Sequence, residues 1–220
     1  MSHADPAMKK YYSAWAQQYE RIYAKPERQA DLRILEGKIP ALLRGRRVIE
    51  VACGTGYWTQ HIAQTANFIL ATDLAGEPME VARSKNLPDE KVRFAIADAF
   101  DLPATTGPFN GAYAGFWWSH LRHSECRPFL QSLRHCLSPG ATVVLMDNRY
   151  VEGSSTPVSR TDDEGNTWQA RTLPSGEAHD VLKNFPTEAE LVKQVEGFGV
   201  NCRYTALEYY WLFAFDAVPG

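Results

Sequence analysis

The sequence is short of several things, and each absence closes a route. Cysteine is scarce: the four residues (Cys53, Cys126, Cys136, Cys202) stand far apart with no Cys-x-x-Cys among them. That pattern fits reduced thiols in a cytoplasmic protein and argues against a disulfide framework or a zinc site. No metal is expected, since the histidines show no ligand spacing either. There is no long basic run, and the net charge is −3, so a nucleic-acid polymer is not the expected partner. No apolar stretch approaches the length of a membrane span, and Met1 to Lys10 lacks the apolar core of a signal peptide. Internal repeats and low-complexity segments are missing too. What remains is a chain of 220 residues, 45% hydrophobic and 22% charged, enough to bury the core of a single domain.

The most informative stretch runs from Val48 to Thr59. A short apolar segment, Val48 to Ala52, carries one acid, Glu50, and leads into Gly54-Thr55-Gly56 and then a helical pattern with Trp58, Ile62 and Ala66 on one face. This reads as a buried parallel strand, a tight turn and a helix start, with glycine where the backbone bends and where a ligand must approach the main chain. A dinucleotide-binding turn would want a third glycine, but Thr59 stands there. A second buried strand, Asn67 to Asp73, ends in an acid, and a third, Lys91 to Asp98, ends in another. A carboxylate at such a strand end, beside a glycine loop, can accept two ribose hydroxyls.

Glu50-x-Ala52-x-Gly54-x-Gly56, followed by Asp73 and by Asp98-Ala99-Phe100, resembles the class I S-adenosylmethionine-dependent methyltransferases. Ala52 stands where that family usually has its first glycine. The resemblance implies an α/β fold, a Rossmann-like doubly wound sheet of seven strands whose last strand is antiparallel. It also implies an N-terminal helical arm and a β-hairpin insertion after strand five. The whole of 1–220 is then one domain: an arm at 1–45, a cofactor-binding core at 46–148, an insertion at 149–186 that supplies the substrate pocket, and a closing helix and strands at 187–220.

The cofactor implied is S-adenosyl-L-methionine. Its methionine part would lie on Glu50, Ala52, Gly54, Thr55, Gly56 and Trp58, its ribose on Asp73 beside Leu74, and its adenine on Asp98, Ala99 and Phe100. Tyr12, Trp15, Tyr19 and Tyr23 recur at helical spacing. They read as a packed helix, and in the family a similar arm brings tyrosines such as Tyr12 and Tyr19 over the cofactor. Met79 is either core or a lid on the adenine.

Residues 29–43 read as a helix that Pro40 kinks or splits, and Ser124 as the cap of a helix running to Leu137. The segment Phe116-Trp117-Trp118-Ser119-His120 follows the fourth strand, where ligands of open parallel sheets bind. Phe116, Trp117, Trp118 and His120 are expected near the reacting methyl group, where aromatic faces attract a sulfonium, and His120 is the candidate base or substrate contact. In the insertion, Arg171-Thr172-Leu173 and Lys183-x-Phe185 look similar to phosphonate O-methyltransferases of the family. Arg171 and Lys183 are therefore candidate holders of a substrate anion.

A two-residue Ser175-Gly176 turn would set Arg171 opposite Asp180 and Lys183 opposite Trp168, on different faces. A one-residue bulge would bring both to one face, and the sequence leaves the register open. Lys183 is preferred because Trp168 and Val181 would share its face and line a pocket. The expected reaction is methyl transfer to a small-molecule acceptor, O-methylation of a small anionic or polar metabolite, by a monomer or homodimer. The alternatives are N- or S-methylation of an uncharged molecule, non-catalytic cofactor binding, and a nucleotide-dependent oxidoreductase, against which the missing third glycine counts.

Overall fold

A computed structural model describes residues 16–103, 107–172 and 176–219, with side chains from residue 20 onward. Seven strands form the main sheet: β1 (Arg47–Val51), β2 (Phe68–Asp73), β3 (Val92–Ile96), β4 (Phe109–Gly115), β5 (Leu137–Asn148), β9 (Gly199–Ala206) and β10 (Tyr210–Ala217). Their spatial order is β3-β2-β1-β4-β5-β10-β9. The first five are mutually parallel, and β10 runs antiparallel to both β5 and β9. The remaining strands, β6 (Arg160–Thr161), β7 (Thr167–Thr172) and β8 (Ala178–Leu182), form a separate three-stranded sheet between β5 and the last helix.

Side-chain alternation explains the layering. Val48 of β1 and Val144 and Met146 of β5 point to one face, where they meet helices α1 (Gln29–Leu42), α2 (Tyr57–Ile62) and α3 (Gly76–Ser84). Ile49 and Val51 of β1 and Val143 and Leu145 of β5 point to the other, toward α4 (Cys126–Cys136) and α5 (Glu188–Gln194). Leu35, Ile39, Phe129 and Leu191 are fully buried in these two layers. Each such side chain contributes roughly 1.5–3 kcal/mol of burial free energy.

Several local expectations change. Residues Ala16–Ala24 form a 3-10 helix, not an α-helix. Tyr12 and Trp15 lie outside the described residues, as does the side chain of Tyr19. Tyr23 is buried and stacks on Tyr57, ring centroids 3.6 Å apart. Pro40 sits inside α1 without splitting it, because the helix ends at Leu42 and few bonds lie beyond it. Ser124 is not a cap: it lies in a 3-10 turn, His123–Glu125, and donates to Glu164 instead. Helix α2 stops at Ile62, so Ala66 is buried from a turn. Met79 is core, 1% exposed beneath the sheet. A capping box opens α5, with Glu190 N–H donating to Thr187 Oγ1 at 3.3 Å and Thr187 N–H to Glu190 Oε2 at 2.7 Å.

Candidate active site

The chain first moves outward along β1-β2-β3 and then returns to the other side of β1 with β4 and β5. The crevice at the carboxyl ends of β1 and β4 is therefore the switch point where open α/β sheets bind ligands. Two non-glycine residues there have left-handed backbone, Ala52 (φ 54°) just after β1 and Phe116 (φ 55°) just after β4. Such conformations cost about 1–2 kcal/mol at a residue with a Cβ. Ala52 is thus a larger departure from glycine than its small size suggests. Gly56 (φ 74°) tolerates no side chain, since a Cβ would lie 2.8 Å from that of Ala82 on α3.

The loop is stapled from beneath. Asp73 Oδ2 accepts the Gly54 N–H at 2.8 Å, and Oδ1 accepts that of Ala75 at 2.9 Å. Thr55 Oγ1 donates to Glu20 (3.0 Å), which also pairs with Lys85, so the 3-10 segment covers the loop. Glu50 is 1% exposed, and its Oε2 has no partner. Burial pushes its pKa up to about 8 against the opposing effect of the neighbouring Thr59 hydroxyl, with the Asp73 charge adding. Trp58 is buried beside it in sequence terms but packs edge-on to Tyr23 and Tyr57, with an unpartnered Nε1. Leu74 follows Asp73, half-buried. Beyond β3, Asp98 Oδ1 accepts the Phe100 N–H at 3.0 Å in a local turn that buries Ala99.

On the other side of Phe116 lies a cavity of about 420 Å³. Phe116 and His120 reach it from the β4 loop, Arg171 and Lys183 from the insertion sheet, Arg28 from the segment before α1, and Tyr210 from β10. Lys25, Arg28, Arg171 and Lys183 all line it, and among the described residues no carboxylate does.

Lys183 is 4% exposed; its ammonium lies 2.7 Å from Asp147 Oδ1 and donates to Ser119 Oγ at 2.7 Å. Asp147 is wholly buried and also accepts the Ser119 N–H at 3.0 Å. Burial opposes its charge, but Lys183, His120 and these hydrogen bonds outweigh that and hold its pKa below the usual carboxylate value. His120 Nδ1 donates to the Leu182 carbonyl at 2.7 Å, which makes Nε2 the acceptor nitrogen. Burial, and then the Lys183 charge, lowers its pKa to about 3, so it is neutral at physiological pH.

The hairpin register differs from the two-residue-turn expectation. Arg171 pairs with His179 and Trp168 with Leu182, so the Lys183 N–H meets the Thr167 carbonyl. This shift of one residue puts Arg171, Val181 and Lys183 on one face and Trp168 on the other. Arg171 is held by Gln169 Oε1, with Nη2 at 2.7 Å and Nε at 3.2 Å.

Trp117 is also misplaced by the sequence reading. It packs edge-to-face on Phe100 (6.3 Å) and Phe129 (6.1 Å), away from the cavity. Trp118 is buried and donates to Gln194. Neither tryptophan walls the pocket. The residues that sequence reasoning missed are Glu20, Arg28, Ser119 and Asp147. Asp147 carried a usable signal, an acid at the carboxyl end of a strand, the same signal that marks Glu50 and Asp73.

The methyltransferase-domain family profile matches residues 48–140. The solved structure of DhpI in complex with SAH superposes with a TM-score of 0.79 at 25% identity, covering 97% of each chain. DhpI with SAM and HEP gives 0.77 at 26%, covering 96% of this chain and 95% of that one.

Residues 48–140 form a methyltransferase domain, and the chain as a whole resembles the class I S-adenosylmethionine-dependent methyltransferases.

Among curated relatives, O-methyltransferase cnsE of Penicillium expansum is 27% identical over 67% of this chain and 59% of its own length. The demethylmenaquinone methyltransferase of Clavibacter sepedonicus is 29% identical over 52% and 46%. The chain spans about half to three fifths of the length of the curated relatives it matches. The residues present fit the cofactor of the family. The buried, unpartnered Glu50 oxygen needs a cation or a donor, and the space above Gly54 is open where a Cβ would project.

Proposed function

We propose that this methyltransferase methylates an ionised oxygen of a small anionic metabolite, with Lys183 contacting the anion. The observation that carries the reading is the cavity beside Phe116, lined among the described residues by four basic side chains and no acidic one. Two of the three Lys183 ammonium protons are used, by Asp147 and Ser119, and the third remains for a ligand. Asp147 keeps that ammonium charged in a buried setting, where a contact to an anion is stronger than in water. The relatives described as O-methyltransferases support an oxygen acceptor.

The bound cofactor supplies a sulfonium-activated methyl group, and an ionised oxygen needs no proton acceptor to take it. The chain's own tasks are then positioning and exclusion of water. Glu50, the glycine loop, Asp73 and the Asp98 turn would hold the cofactor, with Ala52 and Phe116 lending backbone in the crevice. Arg171 and Lys183 would hold the acceptor. His120, neutral, is suited to accepting a substrate hydrogen bond at Nε2 and poorly suited to removing a proton.

Initial rates with S-adenosylmethionine over a panel of phosphonates, carboxylates, phenols and amines test the proposal. Anionic oxygen acceptors should give the highest kcat/KM. A preference for an uncharged amine over every acid would refute it.

A further inference from the structure

We propose that Arg28 holds a second anionic group of the acceptor, remote from the oxygen that takes the methyl group, and so determines which acids are accepted. This rests on reading the cavity as the acceptor site.

Arg28 ends the 3-10 turn Pro26–Arg28 that leads into α1, and it is only 9% exposed. Its guanidinium lies 5.5 and 5.7 Å from the ring centroids of Tyr209 and Tyr210. Nη2 reaches Ser154, at 3.0 Å to the hydroxyl and 3.4 Å to the carbonyl. Nε is buried with no partner. Among the described residues no carboxylate forms an ion pair with it. Glu27 reaches it only through the shared Ser154 hydroxyl, and Tyr210 adds a hydrogen bond, so a buried guanidinium with an idle Nε–H and no carboxylate in direct contact favours a further partner.

The other cations sharpen this. Burial lowers the Lys183 pKa, and the charges of Arg171 and Arg28 lower it further, so three cations act on one another across the cavity. Lys183 is already paired with a buried carboxylate, Asp147. A single-headed anion at Lys183 leaves the Arg28 side unanswered. An acceptor with a second acidic group satisfies both ends. The guanidinium fork suits a carboxylate or a phosphoryl group, and stacking on the two tyrosines fixes its plane. Arg28 and Lys183 enter from different elements, one before α1 and one from the insertion sheet, so the two groups on the ligand are separate.

The test compares 3-phosphonopropionate with propylphosphonate by calorimetry on the full chain loaded with S-adenosylhomocysteine. The two probes share the phosphonyl group, and only the first has a distal carboxylate. Wild type should bind 3-phosphonopropionate at least tenfold more tightly. Arg28→Met should bring that ratio to within threefold of one, leave propylphosphonate binding within threefold of wild type, and leave S-adenosylhomocysteine affinity unchanged. Arg28→Lys should retain part of the ratio, and Arg28→Gln replaces Arg28→Met if the latter does not fold. A wild-type ratio near one, or an equal loss for both probes in Arg28→Met, overturns the proposal. Binding of neither probe by wild type overturns it together with the anionic-acceptor reading. An Arg28-dependent ratio with no methyl transfer to either probe upholds the Arg28 site and counts against that reading alone.

Discussion

Lys183→Met should destabilise this protein far more than loss of an ordinary hairpin lysine. The substitution keeps the approximate volume and removes the ammonium that sits 2.7 Å from Asp147 Oδ1. Asp147 is 0% exposed and would be left with only backbone donors, from Ser119 at 3.0 Å and Asn148 at 2.8 Å. Breaking a buried pair from one side typically costs about 3–5 kcal/mol. At roughly 2–4 °C per kcal/mol for a chain of this size, the melting temperature should fall by about 6–20 °C. The double variant Lys183→Met/Asp147→Asn removes both charges and keeps an acceptor for the Ser119 N–H. It should lie closer to wild type than the single variant, with a coupling of at least about 2 kcal/mol. Urea unfolding followed by circular dichroism reads this directly, provided m is unchanged.

The sign with pH follows from the depressed pKa of Asp147. The pair's stabilisation is present above the ordinary carboxylate value and is lost as pH falls through the lower folded value. The penalty of Lys183→Met should therefore shrink in acid, where Asp147 takes up a proton. Both variants should lose at least about tenfold in kcat/KM for an anionic acceptor, near 1.4 kcal/mol. A single variant within 1 kcal/mol of wild type, taking ~1 kcal/mol as the limit for an exposed charge pair, would show that the pair contributes nothing. So would additive single-variant effects.

Glu50 gives a second pH signature. Its folded pKa, about 8, is raised above the ordinary 4.5, so the cofactor-free protein should lose stability as pH rises between those values and level off above them. Glu50→Gln should remove that slope, and S-adenosylhomocysteine binding near pH 7 should release a proton only in wild type, as calorimetry in buffers of different ionisation enthalpy will read. Equal release by the variant would refute this. Asp73→Ala removes the acceptor of the Gly54 and Ala75 N–H groups. It should weaken S-adenosylhomocysteine binding by at least about 1.5–3 kcal/mol, and an unchanged dissociation constant would sink the assignment. With His120 near pKa 3, the kcat profile for an anionic acceptor should show no limb around pH 6.5. His120→Gln should cost less than the ~10²–10⁴ expected of a general base, and a loss within that range would make His120 the base after all.

The half of the crevice proposed to hold the cofactor was legible because its signals are local. A strand that must be buried on both faces is an apolar run, and a glycine turn after it leaves few other structures open. Val48 to Gly56, Asp73 and Asp98 each announce themselves within a few residues. Their convergence at one edge then follows from parallel strands joined by right-handed crossovers. The conformational demand at Ala52 was hidden, because alanine reads as merely small while its φ of 54° belongs to glycine's region. The tryptophans misled for a related reason. Trp117 and Trp118 follow a strand whose end faces the ligand, but bulky rings also find Phe100, Phe129 and Gln194, and burial won.

The acceptor half was not legible, since it depends on a single number that the sequence does not contain. In a hairpin, every pair obeys one register, and a change of one residue exchanges the faces. Thr172 pairs with Ala178, which moves Arg171 from Asp180 to His179 and brings it to the face of Lys183. The arginine–lysine pair therefore exists only in this register. Asp147 then fixes which member is structurally tied down. Lys183 already has a carboxylate and contributes a firmly placed N–H, whereas Arg171 rests on an uncharged glutamine and Arg28 on a serine. On the proposal above, Lys183 beside Arg171 sets the position of the reacting anion, while Arg28 adds affinity only for a second acidic group. Affinity and orientation are thus divided between residues that lie far apart in the sequence, and no local pattern could have announced the division.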